Sequence, residues 1–344
     1  MNGEKKLIID MTEKFTKKEL LPYISQFDMY PLIPHRFDPG EKFFELGINE
    51  IVKTEDFRTI VEVVMKISEF CAGFGAFFAY IIAGEILKMK CEMEFDGIAS
   101  IGIFEDEDLE IERGGRFGMK IEDGKIKGTK KSVFLSPLAK IFAIFCEDSG
   151  KKAIAWIKRD EVEVKESIGL IGIRACPCAD ILIKNSVKPL KIVPADELFH
   201  YTISLICLFS SACACSTALS AIEKASSYAR ERYQGGNLII EYDAIKLMIS
   251  QNRGLLETCV GSVLKSAEKF SQDRKSWIDV IDSKILASEI TVNACLDAIQ
   301  IFGGYGYMRD YEVEKRFRDA VALSHLPFDT SRASLYLHFL HEHF

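Results

Sequence analysis

The hydrophobic period changes twice along this chain, and that alternation restricts its fold more than any single motif. Ile60, Val63, Val64, Ile67, Phe70 and Cys71 recur at helical spacing, which puts them on one face because residues three and four apart lie above one another in a helix. Thr54, Glu55 and Asp56 read as the start of that helix, with carboxylates at the positive end of its dipole. Phe74 to Leu87 reads as a second, largely buried helix. From about Ile98 the pattern becomes that of strands. Met119 to Glu122 and Lys125 to Lys127 flank Asp123-Gly124, a pair that tolerates the positive φ both positions of a tight hairpin require. Ile141 to Phe145, Ala153 to Ile157, Val162 to Lys165 and Asp180 to Lys184 read as further short strands. From Asp196 the helical period returns, over about 196–233, 239–270, 279–302, 311–325 and 330–342. The pattern predicts an α+β chain: an N-terminal helical domain over 1–97, a middle antiparallel β-barrel or sandwich domain over 98–193, and a C-terminal four-helix bundle over 194–344.

Charge narrows the partners. A formal net charge of −7 is the wrong sign for tracking phosphate backbones, so nucleic acid is not an expected partner. The start, MNGEKKLIIDMTEKF, has no apolar core followed by a small-residue cleavage site, so no signal peptide is expected. The ten cysteines include no CxxC; Cys176/Cys178 and Cys213/Cys215 sit in apolar surroundings and read as buried free thiols of a cytoplasmic protein. No metal site is expected, His338, His341 and His343 being read as residues of a terminal helix. Tyr201 to Ile222 is uncharged and long enough to span a bilayer. It carries seven Ser and Thr and four Ala, and it reads as the central helix of a bundle, with no membrane span.

The densest motif is LDAIQIFGGYGYMRDYEVEKRFRDA, Leu296 to Ala320. A helix ends at Gln300, an apolar pair follows, then Gly303-Gly304 and Gly306, then a charged helix closing on Arg318-Asp319-Ala320. Missing side chains let a phosphate approach the backbone, and a helix end lined with free N–H groups favours an anion. This stretch closely resembles the acyl-CoA dehydrogenase family. The resemblance implies FAD lying between β domain and bundle, with Gln300, Gly303, Gly304 and Gly306 contacting it across a subunit interface. Tyr228 to Gly236 (YARERYQGG) resembles the family's Arg-x-x-Phe-Gly segment. It places Arg232 on the FAD pyrophosphate, with Gly235 where the family has phenylalanine. Thr330 matches the family's threonine and is carried over as FAD-binding. Asp123 to Lys130 and Gly169 to Leu182, with Arg174, resemble family segments of the β domain. The resemblance covers roughly 98–335, and 1–97 only by helical character.

The substrate side departs from the pattern. Removing an α proton while a hydride leaves Cβ needs a base within reach. The family places a glutamate between Arg-Asp-Ala and Gly-Thr; in Val321 to Thr330 (VALSHLPFDT) its place is taken by Phe328, and the glycine's by Asp329. The earlier-helix position used by other members is Ile206. Asp329 is the nearest substitute base, though it also reads as the N-cap of the last helix; His325 is a second candidate. Ser204 and Cys207 replace the family's CoA-gripping Asp and Arg, Phe104 to Asp108 stands for its Glu-Pro-Gly loop, and its flavin-flanking Trp and Thr fall near Ser132 and Phe134. The resemblance implies oxidation of an acyl-CoA at Cα–Cβ with FAD, an electron-transfer flavoprotein as acceptor, and a homo- or hetero-oligomer, dimer or tetramer. Two alternatives stand beside it: a non-catalytic subunit sharing FAD sites in a heteromeric dehydrogenase, and a flavin monooxygenase or oxidase on the same fold.

Overall fold

The computed structural model describes residues 2–29, 43, 45–270 and 276–344. The N-terminal helices are α1 (Asn2–Phe15), α2 (Ile24–Met29), α3 (Ile48–Thr54), α4 (Phe57–Phe70) and α5 (Ala72–Lys90). α4 starts at Phe57: Asp56 is its N-cap, accepting from Thr59 N at 3.2 Å and Thr59 Oγ1 at 2.8 Å, while Thr54 closes the preceding helix. Cys71 is extended, φ −156° and ψ 112°, and separates α4 from α5. α5 is buried over most of its circumference, which explains its nearly uninterrupted apolar sequence.

Eight strands follow: β1 (Ala99–Gly102), β2 (Lys120–Glu122), β3 (Lys125–Phe134), β4 (Ile141–Asp148), β5 (Lys151–Lys158), β6 (Glu163–Ser167), β7 (Cys178–Val187) and β8 (Lys191–Pro194). They form one sheet in the order β6-β7-β3-β2-β4-β5-β8, with β1 beside β4. β1–β4 and β2–β4 are parallel and the other pairings antiparallel, so the sheet is mixed. The Asp123-Gly124 hairpin forms as its sequence predicts, with φ of 49° and 69° and Ile121 opposite Ile126. β4 and β5 are apolar runs because both faces are covered. Phe142, Ile144, Ala155 and Ile157 pack within the β unit, while Ile141, Phe145, Ile154 and Trp156 face the helices.

The C-terminal helices are α6 (Asp196–Glu231), α7 (Asp243–Phe270), α8 (Ser276–Phe302), α9 (Val313–Ser324) and α10 (Thr330–His343). α6 runs through the middle, buried on all sides from Phe199 to Ala218. Among the described residues three helical stretches are long and apolar enough to cross a bilayer: Ala72–Lys90, Asp196–Glu231 and Ser276–Tyr307, whose apolar windows are 83%, 89% and 44% buried within the protein. After α6 the chain makes a small hairpin, β9 (Tyr233–Gln234) and β10 (Asn237–Leu238), turning through Gly235 and Gly236 at φ 67° and 96°. α6 therefore stops at Glu231 and α7 begins at Asp243, inside the helical stretches read from the sequence. All ten cysteines are buried and free.

Candidate functional site

The Arg318-Asp319 pair of α9 docks the sheet onto the bundle. The Asp319 carboxylate is 1% exposed and accepts from Ile173 N and from Lys315 Nζ, each at 2.6 Å. The carboxylate beside it raises the pKa of the fully buried Lys315 ammonium against the opposing effect of burial. Arg318 donates to both Asp28 oxygens at 3.0 and 2.8 Å, to Glu314 at 2.6 Å and to Ile171 O at 3.0 Å. Between these anchors Gly172 lies flat on the helix, where an added Cβ would stand 2.2 Å from Arg318 O. Only glycine fits that approach.

This docking encloses a cavity of about 550 Å3 between sheet and bundle. Its walls come from Ile101 of β1, Ile103 to Glu105 after it, Lys131, Ser132 and Phe134 of β3, Leu170, Ile171 and Ile173, Tyr80 of α5, Ile206 of α6 and the end of α9. Tyr80 stacks on Phe134 with ring centroids 4.6 Å apart and 13° between planes. Ser132 takes φ 49° at a β3 irregularity and donates its N–H to Asp180 at 2.9 Å, which re-aims the strand at the cavity. Glu105 is held in place by Lys130 Nζ at 2.5 Å and Gly118 N at 2.7 Å. Burial brings the Lys130 ammonium down to about 8, with Glu105 opposing. This ion pair was not legible in the sequence, since its partners lie 25 residues apart on different elements.

The loop after α9 carries the candidate bases. Asp329 is the N-cap of α10; its Oδ1 accepts from Arg332 N at 3.0 Å, and it is not among the cavity's lining residues. His325 lines the cavity. Its Nδ1 lies 2.9 Å from Val321 O and 3.1 Å from Ser324 Oγ. The end of α9 is pinned by Lys284 Nζ, which donates to Leu323 O at 2.8 Å and Ser324 O at 3.2 Å. Burial lowers this ammonium to about 8. Phe328 is buried against Tyr336, and Thr330 is the half-buried first residue of α10. Ser204 and Cys207 are fully buried, and burial pushes the Cys207 thiol up to about 12.

A second cavity, about 890 Å3, opens at the other end of α6 and shares no lining residue with the first. Arg232, Gln300, Gly303 and Gly304 line it together with Tyr228, Gly235, Tyr242 and Tyr305. The Arg232 guanidinium lies 5.4 Å from the centroid of the Tyr305 ring. Tyr242 packs at the hairpin, its hydroxyl donating to Gln234 O or Gly235 O at 2.9 Å. The glycines divide by cause. Gly303 takes φ 58°, the left-handed end of α8. Gly306 is buried, and a Cβ there would stand 2.5 Å from Ile299 O, so chain packing demands it. A Cβ on Gly304 would meet nothing within 4 Å, so this backbone faces open space. The structure thus gathers Arg232, Gln300, Gly303 and Gly304 at one place and sets Gly306, Asp329 and Thr330 apart from it.

Residues 208–326 match the acyl-CoA dehydrogenase C-terminal domain. The probable acyl-CoA dehydrogenase YngJ of Bacillus subtilis (strain 168) is 24% identical over 355 aligned positions, covering 93% of each chain. The butyryl-CoA dehydrogenase structure from Megasphaera elsdenii superposes with a TM-score of 0.80 at 16% identity, over 97% of both chains. The FAD complex of PigA superposes at 0.81 with 16% identity, over 98% of this chain and 97% of that one. A domain match over residues 208–326 and a likeness that runs through helices, sheet and helices in the same order lead to one conclusion: the chain has the acyl-CoA dehydrogenase fold, and its C-terminal bundle matches that family's C-terminal domain.

Proposed function

We propose that the chain is a flavoprotein of the acyl-CoA dehydrogenase type that oxidises an acyl-CoA thioester at Cα–Cβ, with its FAD shared across a subunit interface. The observation that carries this reading is the pair of separate cavities: one lined by tyrosines around Arg232, Gln300 and Gly304, and a mostly apolar one between sheet and bundle. The first fits the adenosine diphosphate end of FAD. Arg232 is a planar multi-donor cation suited to pyrophosphate, Gly304 leaves room for phosphate against the backbone, and Tyr228 and Tyr305 offer ring faces. The second takes the reacting end of the substrate. When bound, FAD supplies the hydride acceptor.

The residues of this chain would do the rest. Tyr80, Phe134, Ile206 and Leu326 exclude water from the reacting atoms. Asp329 is the proposed base, accepting the α proton on giving up its bond from Arg332 N; His325, which lines the cavity, is the alternative acceptor. Electrons would pass to an electron-transfer flavoprotein, and the protein would act as a cytoplasmic oligomer. Anaerobic mixing with acyl-CoA tests the reading: flavin bleaching supports it, and its loss in Asp329→Asn or in His325→Gln assigns the base. A second reading, the FAD-sharing subunit of a heteromeric dehydrogenase, is favoured by one observation. No carboxylate of the α9–α10 loop lines the reaction cavity, whereas the Arg232 cavity is fully furnished. FAD retained only on co-expression with a catalytic homologue would decide for it.

A further inference from the structure

Resting on the dehydrogenase reading, the structure also limits the substrate. The cavity between sheet and bundle continues into a small apolar recess through Tyr80, Ile206 and Leu326, which line both. Ala76, Ala79 and Ala83 form its floor on one face of α5, and Phe209 of α6 is among the side chains that enclose it. The recess has a volume of about 20 Å3, room for a single water-sized group. Its roof is fixed from two sides. Ser210 Oγ donates to Leu326 O at 2.9 Å, tying the loop to α6, and Lys284 Nζ donates to Leu323 O at 2.8 Å. The Tyr80–Phe134 stack stiffens the mouth. A close-packed wall held in this way does not widen without moving side chains off their rotamers.

We infer that the substrate is a short-chain acyl-CoA thioester, with an acyl group about the size of butyryl, and that Phe209 and the alanine face of α5 set its length. The carbons that react occupy the larger cavity, and the recess accepts about one more methyl-sized group. Longer chains collide with Phe209. Each methylene that does not fit costs on the order of 10–200-fold in kcat/KM.

The experiment uses the purified flavoprotein with butyryl-, hexanoyl-, octanoyl- and palmitoyl-CoA, reading both the rate of anaerobic flavin bleaching and the binding of each thioester by calorimetry. The expected result is fastest bleaching and tightest binding with butyryl-CoA, with octanoyl- and palmitoyl-CoA at least tenfold worse. Phe209→Ala, or the milder Phe209→Leu if the first does not fold, should move the optimum to longer chains. Octanoyl-CoA performing as well as butyryl-CoA overturns the inference, as does a folded Phe209 variant whose chain-length profile is unmoved. Short-chain preference in binding without any bleaching keeps the inference and removes the catalytic reading. Absence of both binding and bleaching across the series overturns both.

Discussion

Replacing Asp319 by alanine would remove the group on which sheet and bundle meet. Its carboxylate is 1% exposed and takes two short bonds, from Lys315 Nζ and Ile173 N, both at 2.6 Å. Without it the buried Lys315 ammonium is left with the Cys71 thiol at 3.6 Å as a hydrogen-bond partner and Asp28 as a more distant carboxylate, and the Ile173 N–H loses its acceptor. Breaking one partner out of a buried pair costs about 3–5 kcal/mol, and a buried unsatisfied N–H costs about 1–3 kcal/mol alone. The two overlap, so the expected loss is about 3–5 kcal/mol, a large part of a typical total of roughly 5–15 kcal/mol. In a chain of this length that is on the order of 4–7 °C in melting temperature. Asp319→Asn keeps an acceptor for Ile173 N and should lose less. The assay is thermal and denaturant unfolding of both variants, with retained FAD measured alongside, because Ile171 and Ile173 line the cavity. A loss for Asp319→Ala under about 1 kcal/mol, within the ordinary range for a surface substitution, would refute the docking role.

Other perturbations separate the remaining claims. His200 is buried with Nδ1 2.7 Å from Tyr336 Oη, and burial, then Lys152 and His343, lower its pKa to about 4. Its folded value lies below the unfolded value of about 6.5, so its contribution to stability is complete above that pH and lost as pH falls toward 4; His200→Gln should flatten the acid limb in denaturant titrations, and an unchanged limb would count against it. Gly306→Ala should cost about 1–3 kcal/mol through the clash with Ile299 O, whereas Gly304→Ala should leave the melting temperature nearly unchanged and weaken FAD; the reverse order would undo the division of the glycines. Arg232→Ala should raise the FAD dissociation constant roughly 10–100-fold, the worth of a charge-assisted hydrogen bond, as read by fluorescence of released flavin; unaltered retention would show that Arg232 holds no phosphate.

Much of the architecture was legible because local chemistry and tertiary demand agree. Asp123-Gly124 forms its hairpin since both residues accept the φ the turn needs. Boundaries were less legible where two residues offer the same cap: Thr54 and Asp56 both could start α4, and Asp56 does so because its carboxylate reaches both Thr59 N and Thr59 Oγ1. The mixed sheet could not be read, since parallel pairing of β1 and β2 with β4 joins strands by sheet order alone. At the site, Arg232, Gln300, Gly303 and Gly304, singled out through their motifs, line one cavity. The Tyr80–Phe134 stack, the Lys130–Glu105 pair and the Lys284 clamp were not legible, because each joins elements distant in sequence and gives no local period. Asp329 shows the ambiguity of one carboxylate: the same residue type serves a cap and a base, and only geometry weighs the two.

The proposed function requires that this chain bind FAD and use it on an acyl thioester. The most direct test is the visible absorption spectrum of the chain purified after expression alone, before and after anaerobic addition of butyryl-CoA. The expected result is bound FAD whose absorption bleaches on that addition. A colourless protein that takes up no FAD when it is supplied in excess, or bound FAD that no acyl-CoA bleaches, would contradict it.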